Sequence, residues 1–202
     1  MSILRSSFVA VTVALSAVAA QAATVIPVTQ DGTWNAFTVD ANSAKSGGVE
    51  WIDVDYDLGG GAGDFQPLSF SFTVADKAIL RVVDLFAAGD VFNVSITSAA
   101  GTQLLSTSAV VARDLNDAVL PFANFASEAW GSTDFSQLEV VLGAGTYTVS
   151  GLLTQSVTSD GLPINMTSGA LSVTAVPEPT SLALVLAAVG VVGLVSRRRA
   201  QV

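Results

Sequence analysis

"LSFSFTV", Leu68–Val74, alternates apolar and polar side chains over its whole length. Successive side chains of an extended strand point to opposite faces, so this alternation specifies a half-buried β-strand. The stretches around it continue the theme. "AILRVVDLF" (Ala78–Phe86) is β-branched and apolar, and fits a strand buried on much of both faces. "DVFNVSI" (Asp90–Ile96), "LEVVL" (Leu138–Leu142), "GTYTVSGLL" (Gly145–Leu153) and "GALSVTAV" (Gly169–Val176) add further strands. "ADK", "AAGD", "AAGT", "GAG" and "SDGLP" punctuate them as turns. Short strands at this spacing predict an all-β fold, a single β-sandwich or jelly-roll domain. "DLNDAVLPFANFASEAWG" (Asp114–Gly131) breaks the rhythm, and reads either as a short helix interrupted by Pro121 or as a long covering loop.

The chain has 202 residues, room for one ordinary domain plus terminal segments. Residues 1–22 have the layout of a signal peptide: Arg5, the apolar run Phe8–Ala20, then the small-residue site Ala20-Gln21-Ala22 for signal peptidase. Residues 23–175 form the expected β-domain, and residues 176–202 a separate C-terminal segment.

The net charge of the whole chain is −9, and four of its eight basic residues lie in the two terminal segments. Between Thr24 and Val176, four cations face sixteen acids, a charge of −12. That surface repels phosphate backbones and excludes nucleic acid as a partner. Cysteine and histidine are absent. Packing alone must therefore hold the exported core, and histidine-assisted nucleophilic catalysis is excluded.

Three stretches offer chemistry. In "WIDVDYDLGGGAGD", Asp53, Asp55, Asp57 and Asp64 match the acid positions 1, 3, 5 and 12 of a calcium-binding loop. Leu58 stands where such a loop needs glycine, and no helix pattern flanks it, so a strand with an acidic solvent face is the competing reading. Trp34, Trp51 and Trp130 are candidate stacking platforms for sugar rings, with core packing as the alternative. Carboxylate pairs suited to a glycoside hydrolase exist among so many acids, but no pair is marked as special.

The C-terminal segment reads "VPEPTSLALVLAAVGVVGLVSRRRA", Val176–Ala200. Its apolar run Leu182–Val195, extended by Thr180, Ser181 and Ser196, reaches the lower edge of what spans a bilayer as a helix. The triplet Arg197, Arg198 and Arg199 acts as a cytoplasmic stop. This order resembles the PEP-CTERM sorting signal of Gram-negative bacteria, with Pro177, Glu178 and Pro179 in the processing motif. The tail is also similar to the segment named after the C-terminal domain of ice-binding proteins, but the core lacks the regular Thr-x-Thr rows of an ice face. "DLFAAGDVFNV" (from Asp84), "STS" (from Ser106) and "LGAGTYTVSG" (from Leu142) also resemble a group of small exported PEP-CTERM proteins.

The resemblance implies export through the inner membrane, anchoring by the C-terminal helix with the β-domain outside the cytoplasm, and processing by exosortase. It further implies a destination at the cell surface or in the extracellular matrix, beside exopolysaccharide and biofilm production. The expected role is structural or adhesive, without catalysis and without a cofactor other than calcium. A carbohydrate-binding module is the second reading and a glycoside hydrolase the third.

Overall fold

The computed structural model describes residues 23–53 and 65–177. The signal-peptide stretch, the apolar run and the arginine triplet lie outside the described residues. Twelve strands and one short helix follow in order. They are β1 (Thr24–Pro27), β2 (Asp31–Asp40), β3 (Leu68–Val74), β4 (Ala78–Ala87), β5 (Val91–Ser98), β6 (Gly101–Ser106), β7 (Phe122–Ala123), α1 (Ala126–Trp130), β8 (Gln137–Leu142), β9 (Gly145–Gln155), β10 (Thr158–Ser159), β11 (Leu162–Pro163) and β12 (Met166–Ala175).

The long strands sort into two sheets. One has the order β1-β3-β9-β5-β6, with β1 parallel to β3 and every other pair antiparallel. The other has the order β2-β12-β4-β8, all antiparallel, with β7 beside the far end of β4. Chain order alternates between the sheets from β2 to β5, and again from β8 to β12. Interleaving β2-β12-β4-β8 with β3-β9-β5-β6 is the eight-strand connectivity of a jelly roll.

The inward side chains of both sheets share one core. Phe70 and Phe72 of β3, Phe92 and Val94 of β5, and Val149 of β9 meet Phe37 and Val39 of β2, Leu80 and Val82 of β4, and Leu171 and Val173 of β12. With no disulfide available, this packing carries the stability of the fold.

Strand β4 is buried on both faces, as its composition predicts. A second cluster on the outer face packs Val83, Leu85 and Ala170 under Ala126 and Ala129 of α1 and Phe135. Within Asp114–Gly131 the helix follows Pro121, and the preceding residues form a long loop. Strands β1, β2 and β6 were not expected from the sequence. β2 and β6 carry polar and weakly alternating residues at sheet edges, where one neighbour is missing and the pattern is diluted.

Candidate functional site

The outer face of the second sheet presents aligned rows. Trp34, Ser172, Arg81 and Glu139 lie in one row across β2, β12, β4 and β8. Arg81 Nε donates to Glu139 Oε2 at 2.8 Å, and its guanidinium lies 5.2 Å from the Trp130 ring centre. Trp34 and Trp130 are tilted against each other with centroids 5.9 Å apart. Both are partly exposed and rest on the outer cluster. The structure thus joins Trp34 and Trp130 into one patch.

Trp51 is a different case. It is 0% exposed, stacked 3.8 Å from Phe37 and in edge contact with Phe70 and Phe92. Its candidacy as a glycan contact is corrected here, because both faces of the indole are covered by core atoms.

Two rows from the tryptophan patch, Thr38 and Ser168 pair their hydroxyls at 3.3 Å beside Leu85. Here two adjoining hollows of about 770 and 280 Å³ share Thr38, Phe86 and Ser168. Asp53 and Asn124 line the larger, and Asp90, Leu115 and Met166 the smaller. Their size suits a small ligand or a few sugar units. Phe86 stands between them, 42% exposed, at φ +64° and with its ring 5.8 Å from Phe122. A phenylalanine held in the left-handed region is strained, and such strain clusters at functional positions. The sequence signal for this residue was present in "DLFAAGD", but alternation alone gives Phe86 no special status.

The same motif encloses two acids. Asp84 projects between the sheets and is 0% exposed, and Asp90 is 2% exposed. Asp84 Oδ2 accepts the N–H groups of Gly89 and Asp90, both at 3.3 Å, while its Oδ1 has no partner. Asp90 Oδ1 accepts the Val157 N–H at 2.7 Å. Gly89 turns the chain at φ +133°, and a Cβ there would stand 3.0 Å from Arg113 Cβ and Cγ. Burial, reinforced by the Asp90 charge, pushes the Asp84 carboxyl up to about 9. Burial pushes Asp90 up to about 6 against the opposing hydrogen bonds of Thr167 and Val157. The two acids close the β4–β5 turn. Asp114 behaves oppositely: hydrogen bonds from Thr158, Gly161 and Asn116 hold it well below the usual carboxylate range.

Of the calcium-loop acids, Asp53 lies at the rim of the larger hollow, where Asp53 and Phe65 pair through their backbones. Asp55, Asp57 and Asp64 lie outside the described residues. Among the described residues, no three acids cluster as metal ligands. No described helix is long and apolar enough to cross a membrane.

Pro177 is the last described residue, one beyond Val176, whose N–H donates to the Lys77 carbonyl at 2.9 Å. Glu178, Pro179 and Arg197–Arg199 lie outside the described residues. Fold and tail together define the class: an all-β, two-sheet domain with a C-terminal sorting segment issuing from its β12 strand. Residues 175–199 match the PEP-CTERM protein-sorting motif, so this chain carries that motif. The motif implies exosortase as a processing partner, and export to a membrane-anchored or cell-surface destination.

No curated protein matches the chain significantly. Among solved structures, it is similar to the pre-peptidase C-terminal domain of a collagenase from Bacillus anthracis. That match has 12% identity, covers 76% of this chain and 98% of that chain, and has a TM-score of 0.33, too low to transfer any property.

Proposed function

We propose that this is a non-catalytic surface protein. It is exported by its signal peptide, held at the membrane by its C-terminal segment, processed by exosortase, and used as a structural or adhesive component of an exopolysaccharide or biofilm matrix. The observation that carries the reading is the sorting motif, which begins at the last residue of β12. A role without turnover is supported by Asp84, the acid whose pKa is raised furthest, which is 0% exposed and lines neither hollow.

The intact mass of the mature protein from its native cells tests this reading. A mass lacking the apolar run and arginine triplet is expected, and Glu178→Gln should leave the tail in place. A mature mass that retains Leu182–Val202 would refute exosortase processing.

A second reading, carbohydrate binding, is favoured by the exposed and strained Phe86 beside the Thr38–Ser168 hydroxyl pair. An aromatic face with nearby hydroxyls suits the apolar face and polar edge of a sugar ring. Binding to the native exopolymer that is lost in Phe86→Ala or Trp34→Ala, with melting temperature retained, would support it. Calcium assistance through Asp53, Asp55, Asp57 and Asp64 predicts a melting temperature that rises with millimolar calcium. Turnover abolished by Asp53→Asn or Asp90→Asn would instead support the glycoside hydrolase.

A further inference from the structure

The tail leaves the sandwich at one end, and the acids of the domain gather at the other. Ala175 and Val176 donate their N–H groups to the carbonyls of Gln30 and Lys77, at 3.1 and 2.9 Å. β12 lies between β2 and β4, so the chain exits from the middle of a sheet. The β3–β4 and β8–β9 turns surround the exit, because Ala78 pairs with both Ala175 and Leu142, and Val74 pairs with Gly145. The β5–β6 turn joins them, since Thr97 pairs with Thr148 just above Gly145.

Among the described residues, the exposed charges at this end are Asp31, Asp76 and Lys77, a sum of −1. The opposite end holds the long loops after β2, β6 and β9. There Asp40, Glu50, Asp53, Asp114, Asp117, Asp134 and Asp160 outnumber Lys45 and Arg113, giving −5 among the described surface residues. The two hollows that share Phe86 also open at this acidic end.

We propose that, in the tethered form, the end of the sandwich around Lys77 rests against an anionic lipid surface, and the acidic, groove-bearing end points away from it. This rests on the membrane-tether reading above. Residues 177–181 separate Val176 from the apolar run, a leash of at most about 17 Å when fully extended. A headgroup layer of about 6 Å takes up part of that length. The Lys77 end is thereby kept within about one Debye length of the surface at 0.1 M salt. The ten residues of β12 put the acidic end about 33 Å further out, roughly three Debye lengths. A short leash leaves the domain able to tilt, and repulsion between the acids and anionic lipid resists tilting.

The natural absence of cysteine makes site-specific labelling clean. Ala100→Cys marks the β5–β6 turn at the Lys77 end, and Val119→Cys marks an exposed position of the acidic end. The tail-bearing protein, labelled at one site with a fluorophore, is reconstituted into phosphatidylcholine–phosphatidylglycerol vesicles carrying a headgroup nitroxide lipid. Quenching several-fold stronger at position 100 than at position 119 is expected. Equal or reversed quenching in protein that sediments with the vesicles would overturn the orientation alone. Protein that does not sediment with vesicles at all would overturn the tether reading, and the orientation with it.

Discussion

Four groups form a continuous stack through the centre of the sandwich: Gly151 of β9, Trp51, Phe37 of β2 and Gly169 of β12. A Cβ built on Gly151 would stand 2.3 Å from Trp51 Cε2, 2.5 Å from Cζ2 and 2.7 Å from Nε1. The indole has no retreat, because Phe37 lies 3.8 Å beyond it. Phe37 is blocked in turn, since a Cβ position on Gly169 is only 2.3 Å from its Cζ. The backbone cannot open either: the Trp51 N–H donates to the Gly151 carbonyl at 2.9 Å. Gly151→Ala is therefore an overpacking change that no side-chain rotation relieves. It should destabilise the domain by about 3 kcal/mol, the upper part of the range for inserted methyl groups. For a domain of this size that lowers the melting temperature by about 10 °C. Trp51→Leu removes all three indole atoms that the new methyl would strike, and also deletes a buried N–H that has no partner. In that background Gly151→Ala should cost less than about 1 kcal/mol, a coupling of about 2 kcal/mol. Urea denaturation of the four proteins of this cycle measures it. Additive costs, or a Gly151→Ala penalty within about 0.5 kcal/mol of zero, would refute the stack as the element that fixes the sheet spacing.

Stability should fall as pH rises from about 4 to about 9. Over that window folded Asp84 keeps a proton that the unfolded chain has released, and Asp90 adds to the slope up to about 6. Denaturant titrations at several pH values check this, and Asp84→Asn, whose amide stays neutral, should flatten the curve above pH 6. Arg81→Ala should cost about 1 kcal/mol by losing both its contact with the Trp130 ring and its partly exposed pair with Glu139, whereas Glu139→Gln should cost only a few tenths. Thermal melts of the two variants separate these contributions. Pro177→Ala should slow tail removal in cells without changing the melting temperature of the β-domain, because Pro177 lies beyond the last strand.

The strands legible in the sequence are those whose pattern is local. Leu68–Val74 emerges with the bounds its alternation predicts, and Ala78–Phe86 is one residue short of the observed β4. A period of two is set by each residue's neighbours in the chain, so it survives without knowledge of the fold. β2 was invisible because Trp34, Asn35 and Ala36 blur that period, and its partner β12 lies about 130 residues away, as the Thr38–Ser168 contact shows. The sorting motif is legible for a different reason: it is a contiguous pattern of residue types, and its match depends on no distant part of the chain.

Composition and local pattern by themselves determined an acidic all-β domain with a C-terminal sorting motif, and led to the expectation of an export signal over residues 1–22. Tertiary structure decided which side chains belong together. It placed Trp51 inside and Trp34 beside Trp130 outside, although all three are the same residue type, because the segment after β2 pairs Trp51 with Gly151 of β9 over the core, while Trp34 stands on the outer face of β2 and Trp130 ends α1 on that face. It also buried the two acids of "DLFAAGD" in one turn with raised pKa values, since the packing of β4 against β12 and the loop at Val157 removes most of their water. Pairings across such sequence distances are set by the energy of the whole core, and no local stretch encodes them alone.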